Sequence, residues 1–527
     1  MKTKNKYKII FSAHSSSINL FWNLYKNMNK KDYISKCAFF LTNKHYFNEF
    51  RKNEPEFNSK NIFNLKEWEI LKEANLIKYP DLEYIKQWEI DLDDGSLWNS
   101  LIIDRRLNFH LKAQYGQSYE SRYDHFYLLK ILQSSLFNIN KQIEKFKPDA
   151  ILGLNAVTLY DYLYYLIAKK QNIPYLQLKL TRIGNYVSWF SNPFDISEHI
   201  ADSFKNIIEK KDYLNNKIVL KEAKDFIFSN KNSNLIYEGA ITLNNKEKFI
   251  ERFTTSKILK KIKSLINSLK NQFLNFDSHY PNIIYTIFQI KFSRNFRKYY
   301  FNTKNIFDIN SSSEFYKFNK YTYAFYPLNT EPEVALLGYG RPYRNQIETI
   351  RNIASSLPVN WKLVVKEHPN SFGYRKLTYY KKLKQIPNVV LASHKINSNL
   401  LIKNSDLVAV VYGTIGLESI ILRKPLITFC KTPYAIFSEN MVKYVSDPWN
   451  LSRDINKLIN NYLYDESQLI AFIASHIENG EKINLFTDLL GKKSRHKTDN
   501  SFKIKKQYEN LASFTFKRIN QEVNRLI

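Results

Sequence analysis

Between Tyr323 and Tyr434, apolar runs of strand length are each followed, at once or within a few residues, by a compact polar block. The blocks are Pro327-Leu328-Asn329-Thr330-Glu331-Pro332-Glu333, Val364-Val365-Lys366-Glu367-His368-Pro369, Gly413-Thr414-Ile415-Gly416-Leu417-Glu418 and Lys424-Pro425-Leu426-Ile427. Short apolar runs alternating with helical patterns argue for an α/β fold with a mostly parallel sheet. In an open parallel sheet the carboxyl ends of the strands line the ligand crevice, so polar residues there are site candidates. The recurrence of this arrangement points to an enzyme.

At 527 residues the chain exceeds one ordinary core. The pattern divides it into a first α/β domain over 1–200, a helical and Lys/Asn-rich segment over 201–315, a second α/β domain over 316–465 and a helical tail over 466–527. Expected strands in the first domain are 7–13, 37–41, 148–155 and 173–178; those in the second are 323–327, 361–366, 388–391, 407–411 and 425–429. Within the linking segment Ile258, Ile262, Leu265, Leu269, Phe273 and Phe276 recur at helical spacing, with lysines between them. Such a helix packs on a domain with its lysines in water, or rests on anionic lipid.

Seventy-nine basic residues against 49 acidic ones leave a formal charge of +30. Abundant Lys, Asn, Ile, Tyr and Phe with scarce Gly and Pro are what an AT-rich coding sequence produces, which discounts part of that charge. A general attraction to anions survives; nucleic acid is not expected, because no zinc-finger spacing, RNP-like motif or helix-turn-helix signature occurs. Cys37 and Cys430, the two cysteines, exclude a disulfide framework. The apolar run near the N-terminus is too short for a signal peptide, and no stretch reaches membrane-spanning length. A cytoplasmic protein is expected, with the inner membrane surface as a possible place of work.

Gly413 to Glu418 falls at a strand-to-helix turn, where small residues let backbone approach a ligand and free N–H groups suit phosphate. Thr414 and Gly416 belong to that turn, and Glu418, one turn in, suits ribose hydroxyls. Lys366 and His368 share one side of an extended chain and both suit a phosphate ester. Glu331 and Glu333 flank Pro332, and Asp104 follows the run Leu101-Ile102-Ile103; these three carboxylates are the catalytic candidates. Arg182 follows a strand and is a candidate for binding an anionic substrate. Asp91-Leu92-Asp93 has the form of a metal-binding pair, but a single D-x-D does not carry a metal assignment. No metal or cofactor is expected.

The order P-L-x-x-x-P-E, K-E-H-P, G-T-x-G-x-E and K-P-L-I, carried here by Pro327 to Glu333, Lys366 to Pro369, Gly413 to Glu418 and Lys424 to Ile427 with Gln346, resembles the capsule polysaccharide biosynthesis proteins. That family includes retaining β-Kdo transferases. The resemblance implies two Rossmann-like domains in a GT-B-like arrangement, with the helical basic insertion between them. It further implies a CMP-activated sugar, a glycolipid or oligosaccharide acceptor, no obligatory metal, and nucleotide contacts from His368, Thr414 and Glu418. The position after Pro327-Leu328 is Asn329, where relatives often carry His or Gln. Rival readings are a nucleotide-sugar 2-epimerase or polyol-phosphate transferase on the same fold, and a non-catalytic scaffold at the membrane surface.

Overall fold

A computed structural model describes residues 5–59, 62–108, 123–210, 216–232, 235, 237–238, 266, 293–318, 320–492 and 501–526. The amphipathic pattern at 257–276 therefore lies almost wholly outside the described residues.

The first sheet is built from β1 (Tyr7–Ala13), β2 (Ile34–Leu41), β3 (Phe63–Lys66), β4 (Ala150–Gly153), β5 (Tyr175–Leu180) and β6 (Tyr186–Phe190). β1 and β4 are apolar along nearly their whole length and buried, as strands covered on both faces must be. β1 to β5 run parallel in the order β3-β2-β1-β4-β5, and β6 turns back antiparallel to β5. The strand order reverses between β1 and β4, which makes their carboxyl ends a switch point where a crevice opens.

Helices cover both faces. α1 (Ser17–Lys30) buries Leu20, Phe21, Trp22 and Leu24 against one face. α2 (His125–Phe146) begins where the Asp124 side chain accepts from the Tyr127 N–H, and ends at Lys147 with φ 51°. It buries Leu128, Ile131, Leu132, Leu136, Ile139 and Ile143, a stripe at helical spacing that packs on the opposite face. α3 (Leu159–Lys170) is capped by Thr158, whose side chain accepts from the Asp161 N–H.

The second sheet holds β7 (Tyr323–Pro327), β8 (Lys362–Lys366), β9 (Val389–Ala392), β10 (Leu407–Val410), β11 (Leu426–Thr428) and β12 (Val442–Tyr444), all parallel, in the order β9-β8-β7-β10-β11-β12. Its switch point lies between β7 and β10. The helices that matter for the site are α4 (Gln346–Ser356), after β7, and α5 (Thr414–Ile421), after β10. Both sheets follow the doubly wound order, so the α/β class with two Rossmann-like sheets is the observed architecture.

The chain then crosses back. α6 (Glu466–Glu478) packs Phe472 on Phe437 of the second domain, with ring centroids 5.1 Å apart. β13 (Glu481–Lys482) pairs with β6 of the first sheet, and α7 (Ser501–Leu526) lies on α1's domain. Phe516 stacks on Tyr33 at 4.0 Å, and the Trp189 indole N–H donates to Thr515 Oγ1 at 3.1 Å. The helical tail anticipated from sequence thus extends the first sheet and covers one of its faces. No described helix is long and apolar enough to cross a membrane.

Candidate active site

The site starts from the loop after β7. Gln346, the first residue of α4 and fully buried, accepts from the Asn329 N–H at 2.7 Å and donates to the Asn329 carbonyl at 3.1 Å. Asn329 Nδ2 in turn donates to the Tyr412 carbonyl at 2.7 Å, tying the loop after β7 to the loop after β10 across the switch point. Arg375, 1% exposed, bonds the Asn329 carbonyl and pairs with Glu367. Glu367 also accepts from Tyr380 and, at 2.6 Å, from the His368 N–H. Glu367 therefore braces the loop that carries His368. Glu331 is enclosed in the same network, bonded to Gln346, and burial raises its carboxyl while Arg375 pulls it down.

Lys366 ends β8 and is 4% exposed; among the described residues its ammonium makes one long hydrogen bond, 3.4 Å to the Glu367 carbonyl. Burial lowers its ammonium to about 8, against the pull of Glu367 and Glu418. His368 Nδ1 accepts from the Asn370 N–H at 3.1 Å, and the Thr330 hydroxyl lies 3.4 Å away. Burial, then Lys366 and Arg375, lower the imidazole to about 4. At neutral pH His368 is thus uncharged, and with Nδ1 occupied as an acceptor its proton sits on Nε2 as a donor.

Gly413 precedes α5 at φ 145°, a conformation that side chains rarely adopt, and provides no side-chain cap to the helix. Among the described residues, the first N–H groups of α5, from Thr414 onward, receive no cap from the N-cap side chain. Glu418 is 6% exposed, burial raises it to about 7 against the Leu235 N–H, Thr414 and Lys366, and among the described residues its Oε2 has no hydrogen-bond partner. Gly416 has a packing role: a Cβ there would lie 2.5 Å from the Tyr434 ring. Its lack of a side chain admits Tyr434, whose hydroxyl donates to the Gly413 carbonyl at 2.8 Å.

The first domain meets this site through the end of β5. Arg182, at φ 66°, sets its guanidinium 5.4 Å from the Tyr412 ring centroid, and Tyr412 stacks on Tyr339 at 4.1 Å. Lys179 donates to the Pro193 carbonyl at 2.6 Å and to the Tyr339 hydroxyl at 3.2 Å. Burial, with Arg182 beside it, lowers Lys179 to about 7. These residues line one cleft between the domains, together with Tyr434 and His476 of α6. Glu333 is open to solvent yet surrounded by protein, as a group within a cleft is; burial raises its carboxyl, opposed by Arg182 and Arg105.

Asp104 is the catalytic candidate that does not reach the cleft. It is fully buried, pairs with Arg106 at 2.6 Å, and accepts from the Leu159 N–H at 3.2 Å and the Arg106 N–H at 3.0 Å. Both oxygens serve α3 and the ion pair, so Asp104 holds the fold together instead of presenting a carboxylate to a substrate. Asp91 likewise pairs with Lys170, at 2.5 Å. Sequence reasoning missed Lys179, Tyr339, Tyr412, Tyr434 and His476. Tyr412 had a readable signal in its place directly before Gly413, whereas Lys179 is hidden inside a strand and His476 inside a helix.

Residues 237–453 match the model of the capsule polysaccharide biosynthesis protein family. Over that stretch the chain is similar to the capsule polysaccharide biosynthesis proteins. The capsule-family stretch contains Glu331, Glu333, Lys366, His368 and the whole of α5, but neither Asp104 nor Arg182. No curated protein matches the chain. Among solved structures it is similar to the beta Kdo 2,7 transferase KpsC of Thermosulfurimonas dismutans, at 11% identity over 64% of this chain and 79% of that one, with a TM-score of 0.31. It is also similar to the UDP-GlcNAc 2-epimerase of Methanocaldococcus jannaschii, at 13% identity, 87% and 95% coverage and a TM-score of 0.24. The UDP-GlcNAc 2-epimerase of Neisseria meningitidis gives 14% identity, 88% and 94% coverage and a TM-score of 0.25.

Proposed function

We propose that this protein is a capsule glycosyltransferase that moves a sugar, Kdo-like, from a CMP-type donor to a lipid or glycan acceptor. The observation that carries the reading is the meeting of Lys366, His368, Glu418 and the uncapped start of α5 at the switch point of the second sheet, inside the capsule-family stretch. Lys366 and the helix N-terminus neutralise the donor phosphate as it departs, and the Nε2–H of His368 donates to it. The unpartnered Oε2 of Glu418 accepts from a ribose hydroxyl. Arg182 approaches from the first domain, and Glu333 is the carboxylate open to the cleft beside the reacting sugar. Lys366 supplies the positive charge that a metal would otherwise bring, so transfer is expected to persist in excess chelator. Excess positive charge would hold the protein at the anionic inner membrane surface, where a glycolipid acceptor resides.

Calorimetric titration with CMP, UDP and CDP, repeated on His368→Ala and Glu418→Ala, tests the assignment. Selective CMP binding that both substitutions abolish supports it. Preference for UDP or CDP moves the reading to an epimerase or polyol-phosphate transferase. A folded protein that binds none of the three refutes it and favours a scaffold.

A further inference from the structure

The first domain holds a second polar cluster, at its own switch point, that none of the roles above uses. His14 follows β1 directly, and its Nε2 lies 2.6 Å from Oδ1 of Asp161, on the first turn of α3 after β4. Asp161 is fully buried and accepts as well from the Ser12 hydroxyl at 2.7 Å and the Thr158 hydroxyl at 2.9 Å. With these donors around it, the carboxylate takes the Nε2–H, and the tautomer that carries this single proton has its lone pair on Nδ1. His14 Nδ1 is enclosed and among the described residues has no hydrogen-bond partner, while the side chain keeps 17% of its surface exposed. The ring is held further by Phe40, edge-on at 6.0 Å, and the backbone by His14 N–H donating to Ser17 Oγ at 2.7 Å.

Topology sets this pair at the cleft. β1, β4 and β5 are parallel neighbours, so their carboxyl ends share one edge of the sheet. The end of β5 is the place where Lys179 and Arg182 meet Tyr339 and Tyr412 of the second domain. His14 stands two strand spacings away, ~10 Å along that edge. A buried carboxylate fixing one imidazole nitrogen and leaving the other as a lone pair is the arrangement of a general base.

We propose that His14 is the catalytic base that takes the proton of the acceptor hydroxyl, with Asp161 as its positioning residue; this rests on the glycosyltransferase reading above. The hydroxyl, or one water relaying from it, gives its proton to Nδ1. The oxygen forms the new bond to the anomeric carbon, the bond from that carbon to the donor phosphate breaks, and the phosphate leaves with the electron pair. The imidazolium then returns its proton to solvent.

The test measures sugar transfer from CMP-Kdo and UDP-GlcNAc to a lipid-linked oligosaccharide by wild type, His14→Gln, His14→Gly and Asp161→Asn, with CMP affinity and thermal melting followed in parallel. Transfer by His14→Gln is expected to fall by about 100-fold or more while CMP affinity is preserved, and added imidazole is expected to restore part of the His14→Gly rate. Nitrogen spectra of histidine-labelled protein should show His14 protonated on Nε2, a preference weakened in Asp161→Asn. A folded His14→Gln that transfers at nearly the wild-type rate, or a His14 protonated on Nδ1, overturns the base assignment and leaves the nucleotide site standing. A wild type that binds CMP yet transfers from neither donor overturns the transferase reading and the base role together.

Discussion

Lys366 is expected to destabilise the fold that carries it, and the size of that cost follows from its surroundings. Its ammonium is 4% exposed and falls from the ordinary 10.5 to about 8, chiefly through burial. At pH 7 the folded protein thus carries the charge at a cost of about 3 kcal/mol relative to the unfolded chain. Replacing it by methionine keeps the stem and removes the charge. Part of the gain is returned, because Lys366 also holds down the Glu418 carboxyl, so the net is about 2 kcal/mol. For a domain of this size that raises the melting transition by roughly 4–8 °C.

Differential scanning calorimetry on wild type and Lys366→Met, with the transition of the second domain followed separately, reads this gain. The pH dependence has a definite sign. Between about 8 and 10.5 the unfolded chain binds the lysine proton and the folded protein does not, so wild-type stability from this group rises with pH across that window. The advantage of Lys366→Met is therefore full below about pH 8 and gone above 10.5. Glu418, raised from 4.5 to about 7, acts in the opposite sense: its contribution is lost as pH climbs through that window. Calorimetric titration should show nucleotide affinity lost in the same variant. A Lys366→Met protein that melts lower at pH 7 and still binds nucleotide would refute the reasoning.

Gly416→Ala places a methyl against the Tyr434 ring and is expected to cost about 1–3 kcal/mol in thermal melting and to weaken nucleotide binding, since Tyr434 holds the Gly413 carbonyl. Arg375→Met leaves Glu367 buried without its cation, so urea denaturation should show a loss of about 3–5 kcal/mol. Glu333→Gln should lower the rate of transfer with nucleotide affinity retained; a variant that transfers at the wild-type rate removes Glu333 from the chemistry.

The second sheet was legible because its central strands are short, buried and parallel, and so appear as continuous apolar runs. Its expected strands agree with those observed to within about a residue at most ends. β3, β6, β12 and β13 escaped notice: β3 is a four-residue edge strand of alternating apolar and polar residues, β6 carries a serine among aromatics, and the other two are three and two residues long. The carboxylates show a different limit. Asp104 and Glu333 each sit near the end of an apolar run, and nothing local distinguishes them. What separates them is a partner distant in sequence: the Leu159 N–H closes the shell of Asp104, whereas Glu333 stays exposed with the charge of Arg182 acting on it. Glu331 and Glu333, two residues apart, diverge for the same reason, since only Glu331 meets Gln346 and Arg375.

The loop from Val411 to Thr414 joins functions that a sequence reading keeps apart. Its Tyr412 carbonyl anchors Asn329, its Tyr412 ring lies between Tyr339 and Arg182, and two residues later the N-terminus of α5 begins. Anything that moves the start of α5 toward an anion therefore also moves the ring on which the first domain rests. The converse holds for Arg182, whose guanidinium can follow Tyr412 because the stacking contact is non-directional compared with a bidentate ion pair. Lys179 reinforces the same junction through Tyr339, and burial brings its ammonium to about 7, where gain or loss of its proton lies within the working range. The aromatic contacts between the domains are thus built into the same few residues that lead into α5, so under the proposed function occupancy of the donor site and the position of the first domain are expected to be coupled through packing.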